Sequence, residues 1–198
     1  MIEKIINRKT LVRLEMPTEP KLRSRSSRYA ELGYWLSGFI ILTFVIPIIL
    51  IMMLPTDQRG AGFATIAATP VIEYLAVSVG IGLGINPIIS FLLTLLPCTG
   101  FAMLVMGILG FVGDSSERAV RFLKKIQDKI DKYPRLKKYG VASNFVFVMI
   151  LGVYICSGIS ILLSWSRWRS LAFMIGGVSF ITFLIGLGTI GIIDLFFV

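Results

Sequence analysis

Glu73 is the residue whose chemistry asks for an explanation. It lies in the stretch 69–87, TPVIEYLAVSVGIGLGINP, which is apolar enough to sit in lipid. The same stretch carries Pro70, Gly80, Gly82, Gly84, Asn86 and Pro87. A charged side chain at bilayer depth costs on the order of a few kcal/mol, so such a group faces a protein interior or a wet cavity. Backbone interrupted by Pro and Gly is tolerated at that depth in the same places. Taking a carboxylate out of water disfavours its charged form. Glu73 could therefore bind and release a proton, or neutralise a cationic substrate. The structural alternative is a glutamate at the outer interface that caps a hairpin helix begun by Thr69 and Pro70.

Other candidates are weaker. Asn144 is the strongly polar side chain early in the apolar run 141–165 and could face Glu73; a polar residue near a helix start after Gly140 is an equal reading. Asn86-Pro87 reads as a helix start as readily as a ligand pair. Tyr154 joins the candidate proton- or substrate-binding set, although it and Cys156 also suit simple packing. The ends of broken helices could present backbone dipoles to an ion or a phosphate. Hydrolase chemistry finds no support: the chain has no histidine, and neither paired intramembrane carboxylates nor a metal-ligand cluster is visible. No enzyme activity, cofactor or metal is expected.

These residues must be held by membrane helices. The chain is 56% hydrophobic, with a mean hydropathy of +0.84, far outside the soluble range. Its net charge of +9 is segregated, with eight Lys/Arg in residues 1–31, nine in 113–140, and Arg167 and Arg169 as a third cluster. Basic flanks between long apolar runs are the positive-inside pattern of a multi-pass membrane protein. The basic pieces are too short to be nucleic-acid-binding domains. Two cysteines, Cys98 and Cys156, lie inside apolar runs and imply no disulfide framework. The polar N-terminus does not read as a cleavable signal.

Along the chain, residues 1–31 form a cytoplasmic basic arm that suits anionic headgroups or serves as a topology signal. A transmembrane helix is expected over 33–54, with Tyr34 and Trp35 at the interface and a kink at Pro47. The run 61–112 is long enough for two crossings. Asp114-Ser115-Ser116-Glu117 has the form of a capping box. It predicts an amphipathic helix within 113–140, with Ala119, Phe122, Leu123, Ile126, Ile130 and Tyr133 on one face and lysines on the other. Pro134 would end it. Trp165-Ser166-Arg167-Trp168-Arg169 reads as an interfacial anchor. The last span, 170–197, has Gly176, Gly177, Gly186, Gly188 and Gly191 as close-packing positions, and Asp194 near its far interface.

The charge pattern constrains topology. If 1–31, 113–140 and 167–169 all face the cytoplasm, an even number of crossings separates each pair. One apolar segment before residue 113 must then enter and leave on the same side, and so must 141–165. The expected fold is an all-α integral membrane protein with a re-entrant hairpin at 61–90, a span at 91–112, a second hairpin at 141–165 through Gly152–Gly158, and a final span. The first tip falls either at Thr69-Pro70 or at Gly80–Gly84. Two opposed hairpins, each followed by a span, make an inverted repeat whose site lies where the broken elements meet. The hairpin backbone is assigned to Pro70, Gly80, Gly84, Pro87, Gly152 and Gly158. The N-terminus is cytoplasmic and the C-terminus outside, in a cell membrane.

The residues that build this pattern also resemble a known family. Pro70-Val71-Ile72-Glu73, followed by a glycine-spaced segment ending at Asn86-Pro87, resembles the start of the small multidrug export protein family, of archaeal or bacterial type. The basic linker ending in Lys137-Lys138-Tyr139-Gly140, the hairpin with Gly152-Val153-Tyr154, a short basic turn and a glycine-rich last helix follow in the same order, so the resemblance covers about residues 65–195. That family is grouped with the DedA/VTT superfamily. The resemblance implies a lipid flippase, scramblase or proton-coupled exporter built on two opposed re-entrant hairpins. Tyr74 and Leu75 follow Glu73 where the family often has a basic residue, and 141–165 carries no charge where DedA-type proteins have an arginine.

The function expected is therefore a membrane transporter or lipid flippase/scramblase with Glu73 as its proton or substrate site. Its partners would be membrane lipids and a proton or other ion, with homo-oligomerisation left open. The rival, from another class, is a non-transporting protein that organises lipid or assists membrane-protein assembly through the basic amphipathic helix.

Overall fold

A computed structural model describes residues 25–115, 134–163 and 165–197. All elements are helical, with no strand among the described residues. Helix α1 (Arg25–Ile40) passes through a π-helical turn (Ile41–Val45) into α2 (Ile46–Met52). Then come α3 (Arg59–Ile72), a 3₁₀ turn (Glu73–Leu75), α4 (Ala76–Gly82), α5 (Pro87–Ser115), α6 (Pro134–Leu162) and α7 (Arg167–Phe197). Among the described residues, five segments are long and apolar enough to cross a membrane: Tyr29–Met52, Arg59–Gly82, Pro87–Val112, Val141–Leu162 and Arg167–Ile192. The chain is a membrane protein.

Local sequence accounts for the irregularities. Pro47 has no N–H to give to the Thr43 carbonyl, so the ladder loosens before it and Ile46 N–H reaches back to Ile41. Pro97 sits inside α5, which runs on through it. The amphipathic helix expected within 113–140 lies outside the described residues except at its ends. Residues 113–115 continue α5, and Pro134 opens α6. The basic arm lies outside the described residues up to position 24; from Arg25 the chain is already helical.

Contacts fix how the segments run. The Arg167 guanidinium donates to the Glu31 carboxylate, and it lies against Gly110, where an added Cβ would come within 2.7 Å of it. Trp35 and Trp168 stack at 5.3 Å beside this pair. The starts of α1 and α7 and the last turns of α5 therefore share one end of the bundle, called here the near end. Helices α1 and α2 leave it and α5 returns to it, so residues 53–86 begin and end at the far end. Residues 111–166 begin and end at the near end.

Two short contacts agree. Asn144 Nδ2 donates to Ser160 Oγ at 2.8 Å, across 16 residues, which a straight helix would place about 24 Å apart. The chain reverses at Gly152, midway between them, where the backbone leaves helical geometry. Likewise Thr65 Oγ1 lies 2.9 Å from where a Cβ on Gly80 would be, so α3 and α4 lie side by side and the chain turns at Glu73. Neither register considered for the first turn, Thr69-Pro70 or Gly80–Gly84, is the one adopted. Gly84 instead makes a second turn: at φ 85° it lets Ile85 N–H bond the Gly80 carbonyl at 3.0 Å and releases the chain into α5.

Packing follows membrane rules, in which close backbone approach replaces the hydrophobic drive between helices. The larger core joins Trp35, Cys98, Met106, Val148, Val153, Cys156 and Met174; a smaller far-end cluster joins Ile51, Leu54, Ile85 and Leu93. Gly177 lets α7 ride directly on the Phe145 carbonyl and Val148 of α6. Gly177→Leu should cost about 1–3 kcal/mol by overpacking, read as a lowered thermal midpoint in detergent. Gly176 and Gly186 also face neighbours, whereas Gly188 and Gly191 have nothing within 4 Å and are not close-packing positions among the described residues.

Candidate functional site

The two reversals meet. Glu73 ends α3 with φ 49° and ψ −122°, the one non-glycine residue with positive φ among those described. A side chain held there costs about 1–3 kcal/mol, and such strain persists only where surrounding contacts over-determine it. Those contacts come from Gly152, which adopts φ 83° and ψ 169°, a region open essentially to glycine. Having no side chain, Gly152 leaves room for the Glu73 carboxylate. Its two oxygens lie 2.6 and 2.7 Å from where a Cβ would stand.

The carboxylate uses that room to cap a helix. Val153 N–H donates to Glu73 Oε2 at 2.9 Å, and the Tyr154 N–H also bonds the carboxylate. These N–H groups open the second arm of α6, residues 153–162, and lack partners inside it. A negative charge there is favoured by the helix dipole. The cap comes from 80 residues earlier in the chain.

Two tyrosines complete the junction. Because Val153 N–H is given to Glu73, the Met149 carbonyl loses its ordinary helical donor; Tyr74 O–H donates to it at 3.2 Å. The Pro70 carbonyl lies in the last turn of α3, where carbonyls have no in-helix partner, and Tyr154 O–H donates to it at 3.0 Å. Each turn thus supplies side chains to the broken backbone of the other. Tyr74→Phe and Tyr154→Phe should each cost about 1 kcal/mol by leaving a carbonyl unpaired, measurable as a shift in the thermal midpoint.

Among the described residues the surroundings carry no compensating cation. Cys98, Cys156, Tyr74 and Tyr154 are the titratable groups within electrostatic reach of Glu73, and no Lys or Arg acts on it among the described residues. Both thiols are buried and free. Phe101 stands edge-on to Tyr154 at 6.0 Å, and Phe39 lies 5.3 Å from Phe101. No group of three or more His, Cys, Asp or Glu that could hold a metal occurs among the described residues.

Of the candidate residues, the structure brings Glu73, Tyr154, Pro70 and Gly152 together. Asn144 does not face Glu73. It is fully buried about two turns down its arm, bonded to Ser160 with its Oδ1 unpartnered. Asn86 is exposed, and its Oδ1 accepts from Ile88 N–H at 2.9 Å, so it caps α5 with Pro87 in the first turn. Gly80 packs under Ser90 and Thr65, and Gly158 faces Leu109 at ordinary distance. Sequence reasoning missed Tyr74 as a member of the site. Its signal was position, directly after the carboxylate at a chain break. Compared with family models, curated proteins and solved structures, the chain has no match, so the functional reading rests on the geometry of this junction.

Proposed function

We propose that this chain is a transporter or lipid flippase/scramblase of the small multidrug export/DedA-like type, working by alternating access around Glu73. The observation that carries the reading is the Glu73 carboxylate bonded to Val153 N–H at 2.9 Å, where a segment from the far end meets one from the near end. Such a junction suits two re-entrant hairpins in an inverted repeat, with the site at the midplane. The near end, where Arg167 lies, faces the cytoplasm under the positive-inside rule. The N-terminus is then inside and the C-terminus outside.

In this mechanism the ionised carboxylate holds the two turns together through the cap. Protonation weakens it as an acceptor, because charge-assisted hydrogen bonds are about twice as strong as neutral ones. A bound cation would compete for the same oxygens. Either event frees the Gly152 turn to move relative to α3, and the exchange of proton or cation is coupled to which end is open.

The test is reconstitution. Purified protein in vesicles is assayed for pH-gradient-driven uptake of ethidium and for transbilayer movement of a fluorescent phospholipid. Activity in one of these assays should fall in Glu73→Gln by roughly a hundredfold, equivalent to about 2.7 kcal/mol of barrier. Wild-type activity in Glu73→Gln would remove Glu73 from the mechanism.

A further inference from the structure

The far half of the bundle contains a polar seam leading to Glu73. Thr65, Thr69, Ser90 and Thr94 are each at most 1% exposed. Thr65 and Thr69 lie four residues apart on α3, whose C-cap Glu73 bonds its N–H to the Thr69 carbonyl, and Ser90, Thr94 and Cys98 follow at four-residue intervals on α5. That spacing stacks each set along one helix face, with steps of about 6 Å. The sets converge at their outer ends, where Thr65 Oγ1 and Ser90 Oγ lie 2.9 and 2.5 Å from the Cβ position of Gly80. At their inner ends Cys98 is within electrostatic reach of Glu73.

The hydrogen bonds leave this seam incomplete. Thr65, Thr69 and Thr94 donate back to the carbonyls of Ala61, Thr65 and Ser90 at 2.9, 3.0 and 2.9 Å. A hydroxyl that donates to its own helix keeps acceptor capacity for another partner. Ser90 Oγ, fully buried, has no partner at all. Burying an unpaired hydroxyl is costly, and a wet seam would remove the cost. The near half is arranged differently. There Ser157 and Ser160 donate to the Val153 and Cys156 carbonyls, and Ser160 receives Asn144, closing the two arms of α6 on each other. Asn144 Oδ1 is left unpaired on that side.

We propose that the seam between α3 and α5 opens at the far end as a water-lined path to Glu73, and that the arrangement seen here is its closed state. Water or hydronium is the ligand, and Thr65, Thr69, Ser90 and Thr94 are the path's lining. The groups it would meet at Glu73 are Tyr74, Tyr154, Cys98 and Cys156, with no cation among the described residues. The path rests on the reading of Glu73 as an exchange site, but its test does not need transport.

Thr69→Cys and Ser90→Cys are placed singly in a background carrying Cys98→Ala and Cys156→Ala. A membrane-impermeant cationic methanethiosulfonate is added to either side of oriented vesicles. The thiolate forms and reacts only where water reaches it, so far-side labelling should be at least about tenfold faster than that of Thr43→Cys, which is as buried but sits between α1 and α5 at Gly100. Ser90→Cys carries the test if Thr69→Cys does not fold. Labelling from the near side, or at the Thr43→Cys rate from both sides, overturns the path. If the seam labels while Glu73→Gln still transports, the path stands and the transport reading falls. If it does not label while Glu73→Gln is inactive, the transport reading stands and the path falls.

Discussion

Gly152→Ala should lower stability by about 2–6 kcal/mol, summing the cost of a side chain at a strained backbone position and of a buried group left unpaired. Two separate effects add. The first is backbone: φ 83° with ψ 169° is a conformation that alanine avoids. The second is occupancy. A methyl at this position would stand 2.6 Å from a Glu73 carboxylate oxygen, so the carboxylate must leave. Val153 N–H then loses its acceptor, and the two tyrosine bonds that depend on the same approach of the turns are put at risk. Chemical or thermal unfolding in detergent measures the sum. A double-mutant cycle separates the parts: in a Glu73→Ala background the steric clash is gone, so Gly152→Ala should cost at least about 1 kcal/mol less there than in wild type. Additivity within about 0.5 kcal/mol would mean that the carboxylate does not occupy the space of the missing side chain.

That coupling also explains how far the sequence could be read. Glu73 stood out because a carboxylate in an apolar run has a large cost and needs a reason. The expectation of two non-crossing segments rested on charge alone, with Arg167 and the basic flanks sharing an end; the Arg167–Glu31 pair does join the starts of α1 and α7 at one end. The turn positions were less legible. Proline and glycine left Thr69-Pro70 and Gly80–Gly84 both open for the first reversal, yet the chain turns at Glu73, a residue with no intrinsic preference for positive φ. What holds it there is Val153 N–H, a partner 80 residues away, and no local pattern encodes such a distance. Polarity allowed Asn144 either to face Glu73 or to sit near a helix start, but it does not say which neighbour satisfies the side chain, and Ser160 on the returning arm does. Tyr74 was read only as a residue where a base was expected. Its role exists because the Met149 carbonyl is orphaned by the same cap, a fact of the folded chain.

Glu73→Gln and Glu73→Ala should separate the charge of the side chain from its capping bond. Glutamine keeps a side-chain oxygen within reach of Val153 N–H, so the junction persists with a neutral acceptor in place of a charged one. The expected loss of stability is about 1 kcal/mol, the margin by which a charged hydrogen bond exceeds a neutral one. Alanine removes the acceptor entirely and leaves Val153 N–H unpaired, for a loss of about 1–3 kcal/mol. Relief of strain in Glu73 does not offset this, because alanine at φ 49° is no better accommodated than glutamate. If Glu73 serves only as a cap, activity in vesicles should follow stability, with glutamine close to wild type and alanine impaired. If it exchanges a proton or a cation, glutamine should be as inactive as alanine while unfolding near the wild-type midpoint. The two roles order the variants differently, so transport and thermal unfolding measured on the same preparations decide between them. Glutamine active and alanine inactive would make the junction a structural hinge, and the chemistry would then have to be sought elsewhere in the bundle.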